Sequence, residues 1–132
     1  MKLSAIIKQY ADYIGGTFTD YDESKCIIVV PLKDDRFQTV LAFTEKSKVS
    51  GKLRAVFSSK VSDSIAGVDL VDLLRQSAAF DYSKFVIEEN HLKIEASCLA
   101  DAVSEDEVKF MVQEVAQLAD QYEYKLTGKD IH

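Results

Sequence analysis

The spacing of apolar positions changes period along the chain, and each change marks an expected element. Leu3, Ile6, Ile7, Tyr10 and Ile14 recur at intervals of three and four, which predicts an amphipathic helix over 2–14. Gly15-Gly16 ends it, because glycine enters the left-handed cap conformation without a Cβ penalty. The period then falls to two. Residues 17–21 are aromatic and β-branched and predict a first strand, closed by the turn Asp22-Glu23-Ser24. Residues 25–32 hold the densest apolar run, Cys26-Ile27-Ile28-Val29-Val30, which predicts a strand covered on both faces or central in its sheet. After Asp34-Asp35, Phe37, Thr39, Leu41 and Phe43 share one side of a third strand over 36–45. A polar loop over 46–51 leads to a fourth strand with Leu53, Ala55 and Phe57 on one face. Strands joined by such short turns predict an antiparallel meander.

A loop over 62–67 precedes a short helix over 68–77, with Leu70, Leu73 and Leu74 on one side. Phe85 and Ile87 then alternate with Val86 and Glu88, Glu89-Asn90-His91 supplies a turn, and Leu92, Ile94, Ala96 and Cys98 alternate with Lys93, Glu95 and Ser97. That last alternation predicts one buried and one wet face. Ser104 and Glu107 form a capping box, with Glu105, Asp106 and Glu107 at the positive end of the helix dipole. Val108, Met111, Val112, Val115, Leu118, Ala119 and Tyr122 keep helical spacing from there, and Gly128 follows the expected end. The result is an α+β chain in the order α-β-β-β-β-α-β-β-α, an antiparallel sheet packed with helices, because the strands run together rather than alternating with helices.

The length of 132 residues fits a single domain over 1–132. A net charge of -6 argues against a nucleic-acid partner and against an anionic membrane surface. No apolar run approaches the roughly 20 residues of a spanning helix, and the first residues lack the apolar core of a signal peptide. The expectation is a cytoplasmic protein.

Candidate chemistry is sparse. His91 and His132 are far apart and neither neighbours a cysteine, so no metal site is expected. Cys26 and Cys98 read as small hydrophobes of the core, and a disulfide between them is disfavoured in a reducing compartment. Asp34-Asp35, Glu88-Glu89 and Asp101 with Glu105 fall in turns and caps, where solvation is the plain reading. No phosphate loop, nucleophile elbow or Ser/His/Asp ordering can be assembled. Catalytic residues and cofactors are therefore expected to be none. Tyr10, Tyr13, Phe18, Tyr21, Phe37, Phe43 and Phe57 read mainly as core, whereas Phe80, Tyr82 and Phe110 fit the apolar stripes less well and mark a possible partner surface. Leu70, Leu73 and Leu74 join them as candidate dimer contacts, against the simpler reading that they only cover the sheet.

The segment Leu73-Leu74-Arg75-Gln76-Ser77-Ala78-Ala79, the strand Lys84-Phe85-Val86-Ile87 with its acidic turn Glu88-Glu89, the strand Leu92-Lys93-Ile94-Glu95-Ala96 and the capped helix from Ser104 resemble the YbjN family. The element order is similar to the wider type III secretion chaperone-like fold. The resemblance covers nearly the whole chain and carries no catalytic signature to transfer. It implies a non-enzymatic protein-binding module, chaperone-like or regulatory, acting as a homodimer that holds a partner segment on its surface. Such a segment can add as a strand or lay apolar anchors into grooves. Four strands before the second helix suit the YbjN layout better than that of the secretion chaperones. The alternative is a small-ligand-binding sensory domain, which would need a closed apolar pocket with inward polar groups.

Overall fold

The computed structural model describes residues 2–127, so Gly128 and His132 lie outside the described residues. The elements are α1 (Leu3–Ile14), β1 (Thr17–Asp22), β2 (Lys25–Pro31), β3 (Phe37–Lys46), β4 (Leu53–Ser62), α2 (Leu70–Ser77), β5 (Ser83–Glu88), β6 (His91–Leu99) and α3 (Glu105–Thr127). This is the order expected from the periodicity. Two boundaries differ for local reasons. The short helix starts at Leu70 rather than Val68, because the Asp69 carboxylate caps it by accepting from the Asp72 N–H at 3.1 Å. His91 opens β6 instead of sitting in the turn, because Glu89 takes the left-handed conformation (φ 57°) and the hairpin closes one residue earlier.

All six strands join one antiparallel sheet in the order β1-β2-β3-β4-β6-β5. Only the β4–β6 pairing skips an element in sequence. Gly15 caps α1 in the left-handed conformation (φ 74°), donating its N–H to Ala11 O. Gly16 lies so close to β2 that any side chain there would collide with the Val29 carbonyl. The capping box of α3 forms as expected. The Ser104 hydroxyl accepts from the Glu107 N–H at 3.1 Å, and Glu107 Oε1 accepts from the Ser104 N–H at 3.3 Å.

The core lies between the sheet and the helices. Cys26, Ile28 and Val30 of β2, Val40 and Ala42 of β3, Ala55, Phe57 and Val61 of β4, and Leu92, Ile94 and Ala96 of β6 face it. Ile6, Ile7 and Ala11 of α1 and Val108, Met111, Val112, Val115, Ala116 and Ala119 of α3 close it from above. Each fully buried large side chain contributes about 1.5–3 kcal/mol. Gln38 and Ser59 are polar residues within this layer. Gln38 donates to Ser59 Oγ at 3.0 Å and to the Lys60 carbonyl at 3.1 Å, and the Ser59 hydroxyl donates to the Thr39 carbonyl at 2.6 Å. They tie β3 to β4 from inside.

The β2–β3 connection stores strain. Asp34 and Asp35 are consecutive left-handed residues (φ 59° and 60°) without a glycine between them. Asp35→Gly should therefore raise stability by about 0.5–1 kcal/mol. Gly16→Ala should lower it by about 1–3 kcal/mol through the clash with Val29. Chemical denaturation of the two variants checks both signs.

Candidate functional site

The sheet face turned away from the helices carries Ile27 and Val29 of β2, Phe37, Leu41 and Phe43 of β3, and Val56 of β4. The register sets Leu41 between Ile27 and Ser58, and Phe43 between Lys25 and Val56. Val56 is only 1% exposed yet lies outside the core cluster, so side chains of its own face shield it. Phe37 is 47% exposed, and Ile27, Val29, Leu41 and Phe43 are half-buried. The unbroken apolar run 26–30 predicts cover on both faces of β2, and the helices cover one. The shared side of Phe37, Leu41 and Phe43 is thus not the core side of β3; Gln38, Val40 and Ala42 are. An apolar sheet face without a second layer has the character of an interaction surface.

Beyond β4 the same face becomes charged. Lys60 stands directly opposite Lys93, and Lys84 opposite Glu95. Lys60 pairs with Asp63, Lys93 Nζ reaches Glu88 at 3.1 Å, and Arg54 Nε reaches Glu45 at 3.5 Å. His91 Nδ1 lies 3.8 Å from the Asp63 carboxylate.

The six residues singled out in the sequence divide among three places. Leu73 is buried in the core and Leu70 packs half-buried beside it, while Leu74 is 64% exposed on the outer side of α2 together with Val71. Phe80 belongs to an aromatic cluster, 5.5 Å from Phe85 and 6.0 Å from Tyr122 between ring centroids. Phe85 and Tyr122 meet edge to face at 4.9 Å, and the Tyr122 hydroxyl donates to Gln76 of α2 at 2.6 Å. Tyr82 and Phe110 line one open cleft of about 580 Å³ beside α3, with Asp81, Gln113, Glu114 and Gln117 as its polar walls. The apolar sheet face is a third surface. Among the aromatics of the N-terminal half, Tyr13 and Tyr21 are exposed rather than core.

Glu114 fixes the loop under that cleft. Its carboxylate accepts from the Asp81 N–H at 2.8 Å, the Tyr82 N–H at 2.9 Å and the Ser83 hydroxyl at 2.6 Å. Partial burial pushes its carboxyl up, but the Ser83 hydroxyl and the backbone N–H groups together outweigh burial and leave it below the usual glutamate value. A second open cleft lies between the β2–β3 connection and α3. There Arg36 Nε donates to both carboxylate oxygens of buried Asp120, at 3.2 and 3.0 Å, and its guanidinium stacks over Tyr124 at 5.5 Å. This is a structural clamp between a turn and a helix.

Nucleophilic chemistry has little support. Burial, aided by Asp20, pushes the Cys26 thiol up to about 11. Burial, then Glu107, also raises Cys98. Both cysteines are free, and β3 and β4 lie between their strands. That separation is about 14 Å at ordinary strand spacing, too far for a disulfide. Among the described residues no three His, Cys, Asp or Glu side chains are grouped to hold a metal, and no helix is long and apolar enough to cross a membrane.

No protein-family model matches the chain. No curated protein matches it either. Two solved structures share its architecture. A chain of the ExsC–ExsE complex superposes with a TM-score of 0.50 at 15% identity, over 95% of this chain and 92% of that one. A chain of the heterodimeric ExoU–SpcU complex, from the type III secretion system of Pseudomonas aeruginosa, gives 0.55 at 10% identity, over 96% of this chain and 98% of that one. The likeness is one of fold, and the fold is type III secretion chaperone-like.

Two outcomes follow from the buried groups. The depressed Glu114 contributes stability that is present above the usual glutamate range and lost as pH falls through its lower folded value. Glu114→Gln should cost about 1–2 kcal/mol at pH 7, and the gap to the wild type should narrow in urea titrations as pH falls below the usual glutamate range. Cys26 should react with a thiol reagent at neutral pH only at the rate of chain opening, as a stopped assay with and without denaturant will show.

Proposed function

We propose that the chain is a non-enzymatic protein-binding module, chaperone-like or regulatory, that holds a segment of a partner protein on its surface. The observation that carries this is the apolar sheet face of Ile27, Val29, Leu41 and Phe43, which no helix covers. Large apolar side chains on a half-exposed sheet offer anchor sites, and the open edges of β1 and β5 offer unpaired backbone groups to an added strand. Both solved structures of like fold are complexes of two different proteins, which supports the same role here. The clefts are open and of mixed polarity, which favours a segment over an enclosed small ligand.

The module is a single domain over 1–132 and works in the cytoplasm as a homodimer. Its self-contact is α2 beside the open β5 edge, where Val71 and Leu74 present an apolar strip to solvent. Tyr82 and Phe110 extend the partner surface around α3. The YbjN family remains the sequence pattern it fits.

Tagged wild-type protein, Ile27→Asp/Phe43→Asp and Leu74→Glu are to be compared by capture from host lysate at physiological salt and by sedimentation. One stoichiometric chain should stay with the wild type and be lost from the double variant, with melting temperatures unchanged. Leu74→Glu should shift a dimer to a monomer. A partner held equally well by the double variant would rule out the sheet face, and a partnerless wild type would move the protein to the ligand-binding class.

A further inference from the structure

We infer that two copies of this chain join edge to edge through β5, with Val86 facing its own counterpart on the two-fold axis. This rests on the homodimer proposed above and names the strand and the register of its contact.

β5 ends the sheet, and no backbone group among the described residues bonds its outer side. The turn Glu89-Asn90 closes on the pair Glu88–His91. Lys84, Val86 and Glu88 therefore bond to β6, and the backbone groups of Ser83, Phe85 and Ile87 point outward. Antiparallel pairing of β5 with itself must match outward residues with outward residues. One such register sets Phe85 against Ile87 and Lys84 against Glu88, each pair occurring twice about the axis. A shift of two residues in either sense sets Lys84 against Val86 or Asn90 and loses both ion pairs. The self-complementary register extends a row of alternating charge across the seam: Glu95, Lys84, then Glu88 of the second copy. Lys93 Nζ, 3.1 Å from Glu88 of its own chain, keeps its place beside that row.

The other edge offers no such match. β1 holds Asp20 and Asp22 without a basic residue, and its register with β2 breaks between them. Charged side chains and bulges are the ordinary guards of an edge strand. β5 pairs with β6 without interruption, and its one lysine has a glutamate at the mirror position about Val86.

The apolar surface agrees with the charges. Ile87 lies on the helix side of the sheet with Phe85, and is 45% exposed. α2 lies in the same layer, since Leu73 enters the core and Gln76 accepts from the Tyr122 hydroxyl. Its outer side carries Val71 and Leu74, 59% and 64% exposed. Pairing β5 with β5 brings the two α2 helices alongside the seam, where Val71, Leu74 and Ile87 of both copies cover one another. An open strand edge and an apolar helix side thus share one axis. That axis stands perpendicular to the sheet, so both helix-free faces lie on one side, and one partner segment can run across the two.

Cysteine variants, each shown folded by its melting curve, test the register. Facing residues of a non-hydrogen-bonded pair have Cα atoms about 4.5 Å apart, within reach of a disulfide. Copper phenanthroline should therefore oxidise Val86→Cys to a covalent dimer. Lys84→Cys lies about 14 Å along the strands from its counterpart and should stay single. The wild type, with free Cys26 and Cys98, is the background. Charge reversal supplies the second measurement. Lys84→Glu and Glu88→Lys should each self-associate about tenfold more weakly, because like charges then face each other twice. Mixed one to one, the two variants should recover a heterodimer, since every facing pair is again of opposite sign. A dimer that is lost in Leu74→Glu but shows no Val86→Cys cross-link, or no recovery on mixing, overturns this register and leaves the homodimer standing. A wild type that sediments as a monomer at every concentration overturns both. Val86→Cys joined to a captured chain of another sequence, and not to itself, gives the edge to a partner segment and overturns self-pairing.

Discussion

Everything in this fold depends on α3 lying across the middle of the sheet. Its apolar stripe closes the core over β3, β4 and β6, and the small side chains of Ala116 and Ala119 let the helix approach the strands closely. Its polar side chains then reach the surrounding parts. Gln113 accepts from the Tyr10 hydroxyl of α1 at 2.6 Å, Asp120 holds Arg36 at the β2–β3 connection, Glu114 holds the loop before β5, and Tyr122 reaches Gln76 of α2. At about 34 Å, a helix of 23 residues is long enough to make all these contacts. One helical layer can cover only one side of a sheet, so the same packing that builds the core leaves the other side open.

The order of elements was legible because each one announces itself by period, and because its ends carry the right chemistry. Gly15 and the Ser104–Glu107 box are end signals whose geometry forms as the residues imply. The facing of β3 was not legible. An alternating strand with Phe37, Leu41 and Phe43 on one side and Gln38, Val40 and Ala42 on the other offers its larger apolar side chains as the natural interior. The structure buries the smaller set, because Gln38 finds partners in Ser59 and Lys60 on the next strand. A pairwise hydrogen bond between distant positions has no local signature. The same fact hid the candidate site. Its one visible trace was the apolar run of β2, whose second face looked like interior and is half-exposed.

The residues picked out as surplus aromatics behave differently from one another for a similar reason. Phe80 finds Phe85 and Tyr122, which come from β5 and α3 and are brought together only by the tertiary fold. Tyr82, two residues on, sits on the outside of the loop that Glu114 clamps, and Phe110 projects from the outer side of α3. Sequence spacing identifies side chains in excess of the core, and the packing decides which are absorbed.

The strand order has a consequence for how the molecule is made. β1 to β4 pair with sequence neighbours, so this meander can assemble while later residues are still being added. The lid that buries Val40 of β3 and Phe57 of β4 is α3, which follows all six strands along the chain. Until it docks, α1 covers only the β1–β2 end of the core side, and the apolar side chains of β3 and β4 on that side stay bare. The chain therefore passes through a stage in its own synthesis when its sheet is unsheltered, and the speed with which α3 closes sets how long that exposure lasts.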